Sequence, residues 1–132
     1  MSLNGSQRGR LIFRTIFIPF NGGDYMKLCF DANDYLHQAT GIDQGTDFVV
    51  YPKALMKDGF SISIQASEFH YCSPRNSIGP WNEMELGFPS ELDPILDEYA
   101  EEPGTSDTVF GYVPIAIVNE LISKHGGIII ED

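Results

Sequence analysis

The 132-residue chain is long enough for one domain with its own core, and 42% apolar with 20% charged residues excludes a disordered polypeptide. The net charge of −11 arises after residue 75: residues 1–75 hold seven acids and seven bases, residues 76–132 twelve acids and Lys124 as their one base. Phosphate neutralisation needs clustered Lys and Arg, so direct nucleic-acid binding is not expected.

Met1–Gly9 is polar and rich in Gly and Ser, and is set apart as a disordered or appended leader to a single domain over 10–132. Arg10–Phe20, dense in Ile, Phe and Thr, reads as a strand. Asn21-Gly22-Gly23-Asp24 supplies a turn, and Tyr25–Phe30 the returning strand of a hairpin. Asp31–Thr40 reads as a helix, with Asp31 or Asn33 as its cap and Gly41 as its stop. A short strand is expected at Asp47–Tyr51, and one or two helical turns at Pro52–Asp58, closed by Gly59.

Phe60–Cys72 reads as the clearest strand, because Phe60, Ile62, Ile64 and Ala66 alternate with polar residues. The phase inverts beyond Ala66, and a β-bulge at Ser67 or Glu68 restores it, as does a second covering layer. Ser73–Pro80 is a loop, and Trp81–Phe88 a strand with Met84, Leu86 and Phe88 on one face. Asp93-Pro94 starts a helix with the stripe Leu92, Ile95, Leu96 and Tyr99, ended by Pro103. Thr108–Val113 is a strand, and Pro114 opens the best helix, with Ile115, Val118, Leu121 and Ile122 inward and Gly126-Gly127 closing it. Lys124 and His125 there complement the helix dipole, and Ile128–Ile130 is a terminal strand. The fold class is α+β: a mainly antiparallel sheet with helices packed on one face.

No run is apolar enough to span a bilayer, and no secretory signal pattern is read at the N-terminus. Cys29 and Cys72 are expected to be buried free thiols in a reducing compartment, the cytoplasm. Phosphate-loop, C-x-x-C, H-E-x-x-H and G-x-S-x-G patterns are absent, and no cofactor or metal is expected.

Two groups of residues carry functional expectations. On an unbulged strand Glu68, His70 and Cys72 share a face, with Arg75 just beyond. Such a row orients an imidazole against a carboxylate and lowers a thiol pKa, the basis of a small-molecule or enzyme pocket. A zinc site there needs further ligands, Cys29 or a distant His. The same residues also suit a packed interior, with Cys72 a small core hydrophobe and His70 bonded to a neighbour. Arg75 and Trp81 bracket a loop of the kind that forms recognition hot spots, although Trp81 also suits a plug at the sheet edge.

The second group is acidic. Asp97, Glu98, Glu101 and Glu102 place like charges four apart on the expected helix, and its last two acids at the unfavourable dipole end. Solubility is the simplest account of such a face. The functional account is a docking face for a basic protein, steered by the field. The leading expectation is a non-enzymatic acidic binding domain, an inhibitor or immunity-type partner of a basic protein.

Overall fold

The computed structural model describes residues 15–20, 22–39, 41–43 and 49–130; the leader Met1–Gly9 and the expected strand start at Arg10 lie outside them. β1 (Thr15–Phe20) and β2 (Asp24–Cys29) form the expected hairpin, with Phe20 opposite Asp24. Its turn needs left-handed backbone at Gly22 (φ 65°) and Gly23 (φ 98°), which glycine supplies without a Cβ clash. The terminal strand Ile128–Ile130 returns to pair with β2 on its other side, making a three-stranded sheet. α1 (Ala32–Gln38) starts where Asp31 Oδ1 accepts the Asp34 N–H at 3.0 Å, and it buries Ala32, Tyr35 and Leu36. β3 (Ile42–Asp43) pairs with β4 (Val49–Val50) in a two-stranded ladder.

The helical turns expected at Pro52–Asp58 are a strand and a tight turn instead. β5 (Ala54–Leu55) pairs with β6 (Ser61–Gln65), and Gly59 at φ 98° closes a hairpin rather than a helix. Ala54 and Met56 are buried while Leu55 is exposed, a period of two that a single helical turn cannot give. β7 (Glu83–Gly87) and β8 (Val109–Pro114) complete a four-stranded sheet of order β5-β6-β7-β8. All pairings among the described strands are antiparallel. Ile62, Ile64, Met84, Leu86 and Val113 are fully buried on this sheet, each worth about 1.5–3 kcal/mol of transfer free energy.

Phe88 departs from the expected face. Its φ of 51° turns it out of the strand, and it is exposed while Met84 and Leu86 are buried. The helix expected from Asp93 is a 3-10 helix, Pro94–Tyr99, that begins with Asp93 Oδ1 accepting the Ile95 N–H. α2 (Ile115–Lys124) buries Val118, Leu121 and Ile122, and Gly126 and Gly127 at positive φ lead out into β9, the strand Ile128–Ile130. α1 and α2 touch each other and the four-stranded sheet, α1 at β6 and α2 at β7 and β8, so the fold is a single α+β domain. Among the described residues no helix is long and apolar enough to cross a membrane.

Candidate partner-binding surface

The strand expected to run to Cys72 ends at Gln65, and no bulge carries it further. Ser67 is the reason. Its hydroxyl accepts the Phe69 N–H at 3.0 Å and its carbonyl accepts the His70 N–H at 3.2 Å, so the chain turns. Glu68, His70 and Cys72 therefore share no strand face: Glu68 is exposed, His70 and Cys72 buried. Ser67 holds the last two together. His70 Nδ1 pairs with Ser67 Oγ at 2.7 Å, and Cys72 Sγ donates to the Ser67 carbonyl at 3.1 Å. Burial pushes the Cys72 thiol up from its ordinary value and the His70 imidazole down. At pH 7 this leaves a neutral thiol beside a neutral ring, the reverse of an activated nucleophile.

The loop beyond Cys72 is held at both ends. Ser73 and Glu83 exchange backbone hydrogen bonds at 3.1 Å, which joins the loop to the start of β7. Asn33 on α1 then treats Trp81 as a strand neighbour: its Oδ1 accepts the Trp81 N–H at 2.7 Å, and its Nδ2 donates to the Trp81 carbonyl at 2.9 Å. The Trp81 indole N–H donates to the Asn76 carbonyl, and the ring stacks on His37. Gly79, at φ 72°, passes so close that a Cβ there lies 2.8 Å from the indole. Trp81 is thus a buried anchor, and it is Arg75 that the loop presents to water.

Arg75 sits over the ring of Tyr71, 5.7 Å from its centroid. Tyr71 is paired in turn with Tyr112, their centroids 5.9 Å apart. The pair exists because β8 is bulged. Phe110 and Val113, three apart, both face the core, and the register with β7 shifts between Met84 and Leu86. Gly111 and Tyr112 are the residues left facing outward, with Tyr112 forced to φ 52°. The Tyr112 N–H donates to the Tyr71 carbonyl at 3.0 Å, and Glu85 Oε1 accepts the Tyr71 N–H at 2.9 Å. A Cβ at residue 111 lies only 3.3 Å from the Tyr71 Cβ, so glycine there lets the two segments meet. Tyr71 and Tyr112 remain 43% and 45% exposed.

The acidic group adjoins this surface through β8. Ala100 bridges to Phe110, and the Glu101 N–H donates to the Val109 carbonyl at 2.9 Å. The Glu102 N–H donates to Thr108 Oγ1. Because the 3-10 helix ends at Tyr99, Glu101 and Glu102 lie beyond it, and the expected α-helical like-charge pairs and adverse dipole contacts do not form. Asp97, Glu98, Glu101 and Glu102 are all exposed, and among the described residues none of them joins an ion pair.

Glu85 and Tyr112 do not stand out in the sequence, and Ser67 stands out only as a bulge site. The sequence around Tyr112 carries only a hint, the apolar Phe110 and Val113 standing three apart, and the bulge itself follows from the pairing with β7. Elsewhere a cleft of about 370 Å³ is lined by Tyr35, Gln38, Pro52, Lys53, Leu55 and Ile130 among others, and none of Glu68, His70, Cys72 or Arg75 lines it. Burial raises Tyr35 there to about 12, so its hydroxyl keeps its proton. Among the described residues no group of three or more His, Cys, Asp or Glu is placed to hold a metal. Comparison of the chain with protein-family models, with curated proteins and with solved structures finds no match in any of the three.

Proposed function

We propose that the protein is a non-enzymatic binding module that docks a basic protein, as an inhibitor or immunity-type partner does. The docking surface is Tyr71, Tyr112 and Arg75 together with the acidic side chains Asp97 and Glu98 at the end of the 3-10 helix and Glu101 and Glu102 just beyond it. One observation carries the reading: the backbone bears about 1–2 kcal/mol of left-handed strain at Tyr112 to keep an aromatic ring half exposed beside Tyr71. Packing does not require that ring, since Phe110 and Val113 already fill the core beneath it. Tyr and Arg are among the residue types that dominate interface energetics, and the neighbouring exposed carboxylates supply a steering field for a cation-rich partner.

The alternative, a small-molecule or enzyme site at Glu68, His70, Cys72 and Arg75, draws less support, because the thiol and imidazole are buried and shifted away from reactivity. Two buried, unbridged thiols favour a reducing compartment, the cytoplasm. The acid excess favours a protein partner over nucleic acid.

The test uses immobilised wild type, Tyr112→Ala and the triple variant Glu98→Gln, Glu101→Gln, Glu102→Gln against lysate of the source cells. A basic protein retained by wild type is then purified and its kinetics measured at low and high salt. The triple variant is expected to slow association several-fold at low salt and much less at high salt, because exposed charges are screened beyond about 10 Å at 0.1 M. Its melting temperature stays within about 2 °C of wild type, since the four acids make no helical pairs to relieve. Retention of the same proteins by all three chains, or of no basic protein, removes the reading.

A further inference from the structure

His125 stands where three segments meet: the C-terminal end of α2, the turn Met56–Gly59 between β5 and β6, and the start of the 3-10 helix. Its ring lies almost parallel on that of Phe60, with centroids 3.9 Å apart and planes 10° apart, which sets the direction of both nitrogens. Nδ1 is 2.7 Å from Asp58 Oδ2, and Nε2 is 2.9 Å from Asp93 Oδ2. The other oxygens are also engaged. Asp58 Oδ1 accepts the Phe60 N–H at 2.9 Å, and Asp93 Oδ1 accepts Lys124 Nζ at 2.9 Å and the Ile95 N–H at 3.2 Å. The charged groups around the ring are thus Asp58 from the turn, Asp93 from the helix start and Lys124 on α2. Lys57 is also near, its Cβ approaching Gly126.

A neutral imidazole has one N–H and cannot donate to two carboxylates, so the double contact requires the imidazolium. We propose that His125 is a proton-operated clasp that ties the end of α2 to both the β5–β6 turn and the 3-10 helix, and that opens on its Asp58 side when the proton leaves. The side follows from burial. Asp93 has a side chain only 4% exposed and keeps the remaining N–H, because water cannot replace it. Asp58, 50% exposed, turns to solvent.

What opens is a seam between the two larger sheets. The Asp58 N–H donates to the His125 carbonyl at 3.3 Å, the Lys57 N–H donates to the Gly127 carbonyl at 3.0 Å, and Met56 bridges to Ile128. These contacts fasten β5 of the four-stranded sheet to β9 of the three-stranded one. The inference stands apart from the partner-binding reading and survives its failure.

Burial of the ring acts to lower the His125 pKa, but hydrogen bonds to Asp58 and Asp93 outweigh it and the net shift is upward. Asp58 is lowered, first by the Phe60 N–H and then by His125, so it stays ionised throughout. Burial acts to raise Asp93, but the hydrogen bonds from Lys124 and His125 prevail and it too is lowered. A folded value raised above the unfolded one, about 6.5, means the clasp contributes fully below that pH. The contribution is lost as pH rises through the folded value.

The experiment is a pH titration of the full chain by NMR of the ring nitrogens, paired with amide hydrogen exchange corrected for intrinsic rate. His125 is expected to be doubly protonated with a midpoint above 6.5, and Asp58→Asn to lower that midpoint. Protection at Lys57 and Asp58 should fall several-fold across the midpoint relative to β6 and β7, and His125→Gln should abolish this pH dependence. A wild-type midpoint at or below 6.5, or seam protection that ignores the titration, overturns the proposal. The wild-type titration decides it even if the glutamine variant does not fold.

Discussion

Replacing Tyr112 separately by glycine and by alanine isolates the backbone strain from the lost ring. Both variants delete the same aromatic contact with Tyr71, so their difference reports the left-handed φ of 52°. Alanine retains a Cβ and keeps about 1–2 kcal/mol of strain, whereas glycine relieves it. Glycine in turn costs about 0.5–1 kcal/mol through the freedom of the unfolded chain. The glycine variant should be the more stable by about 0.5–1 kcal/mol. For a chain of 132 residues that is a melting temperature higher by about 2–4 °C. Tyr25, exposed on β2 without a positive φ, is the control, and there glycine should be the less stable of the pair. Thermal denaturation of the four variants by circular dichroism reads the signs directly. A glycine variant at 112 that melts below the alanine one would refute the strain argument, and with it the observation that carries the functional reading. Binding supplies the second axis: both variants at 112 should lose about 30-fold or more in partner affinity, the threshold of about 2 kcal/mol that marks a hot-spot residue.

Asn33→Ala should cost about 2–4 kcal/mol, because it strands the N–H and carbonyl of Trp81 together; chemical denaturation measures it, and a loss under 0.5 kcal/mol counts against the anchor. Cys29 and Cys72 are buried and free, with thiols that burial pushes up, so alkylation of the native protein should be slow and both should label once it is denatured. A disulfide as the main species in non-reducing mass spectrometry contradicts this.

The elements set by local chemistry were legible in the sequence. The Gly22-Gly23 turn, the Asp31 cap, the Asp93-Pro94 start and the Gly126-Gly127 exit all stand where turn and cap rules put them. Where reading failed, a competing contact had prevailed. Pro52–Asp58 has no strong strand pattern, and Ala54–Leu55 within it becomes β5 through pairing with β6, which the segment alone does not announce. Ser67 ends β6 by capping its own turn, a local competition that the alternation before it conceals. Of the candidate residues, Arg75 and the four acids are exposed, while Trp81 is buried and anchors the loop. Tyr112 required knowledge of the β7–β8 register, and register is a property of two strands at once.

The pairing of β2 with β9 has a consequence for how the chain assembles. Lys27 lies opposite Ile130, so the three-stranded sheet joins segments from opposite ends of the described chain. Closing so long a loop is entropically costly and gains little until the intervening residues are compact. The four-stranded sheet, whose β6, β7 and β8 follow one another in sequence, is free to form before it. The β1–β2 hairpin therefore waits, with the outer edge of β2 open, until α2 has packed and β9 arrives to cover that edge. During synthesis that edge is open to pairing with other chains. Aggregation of the nascent protein should accordingly fall on Thr15–Cys29, however stable the finished domain is.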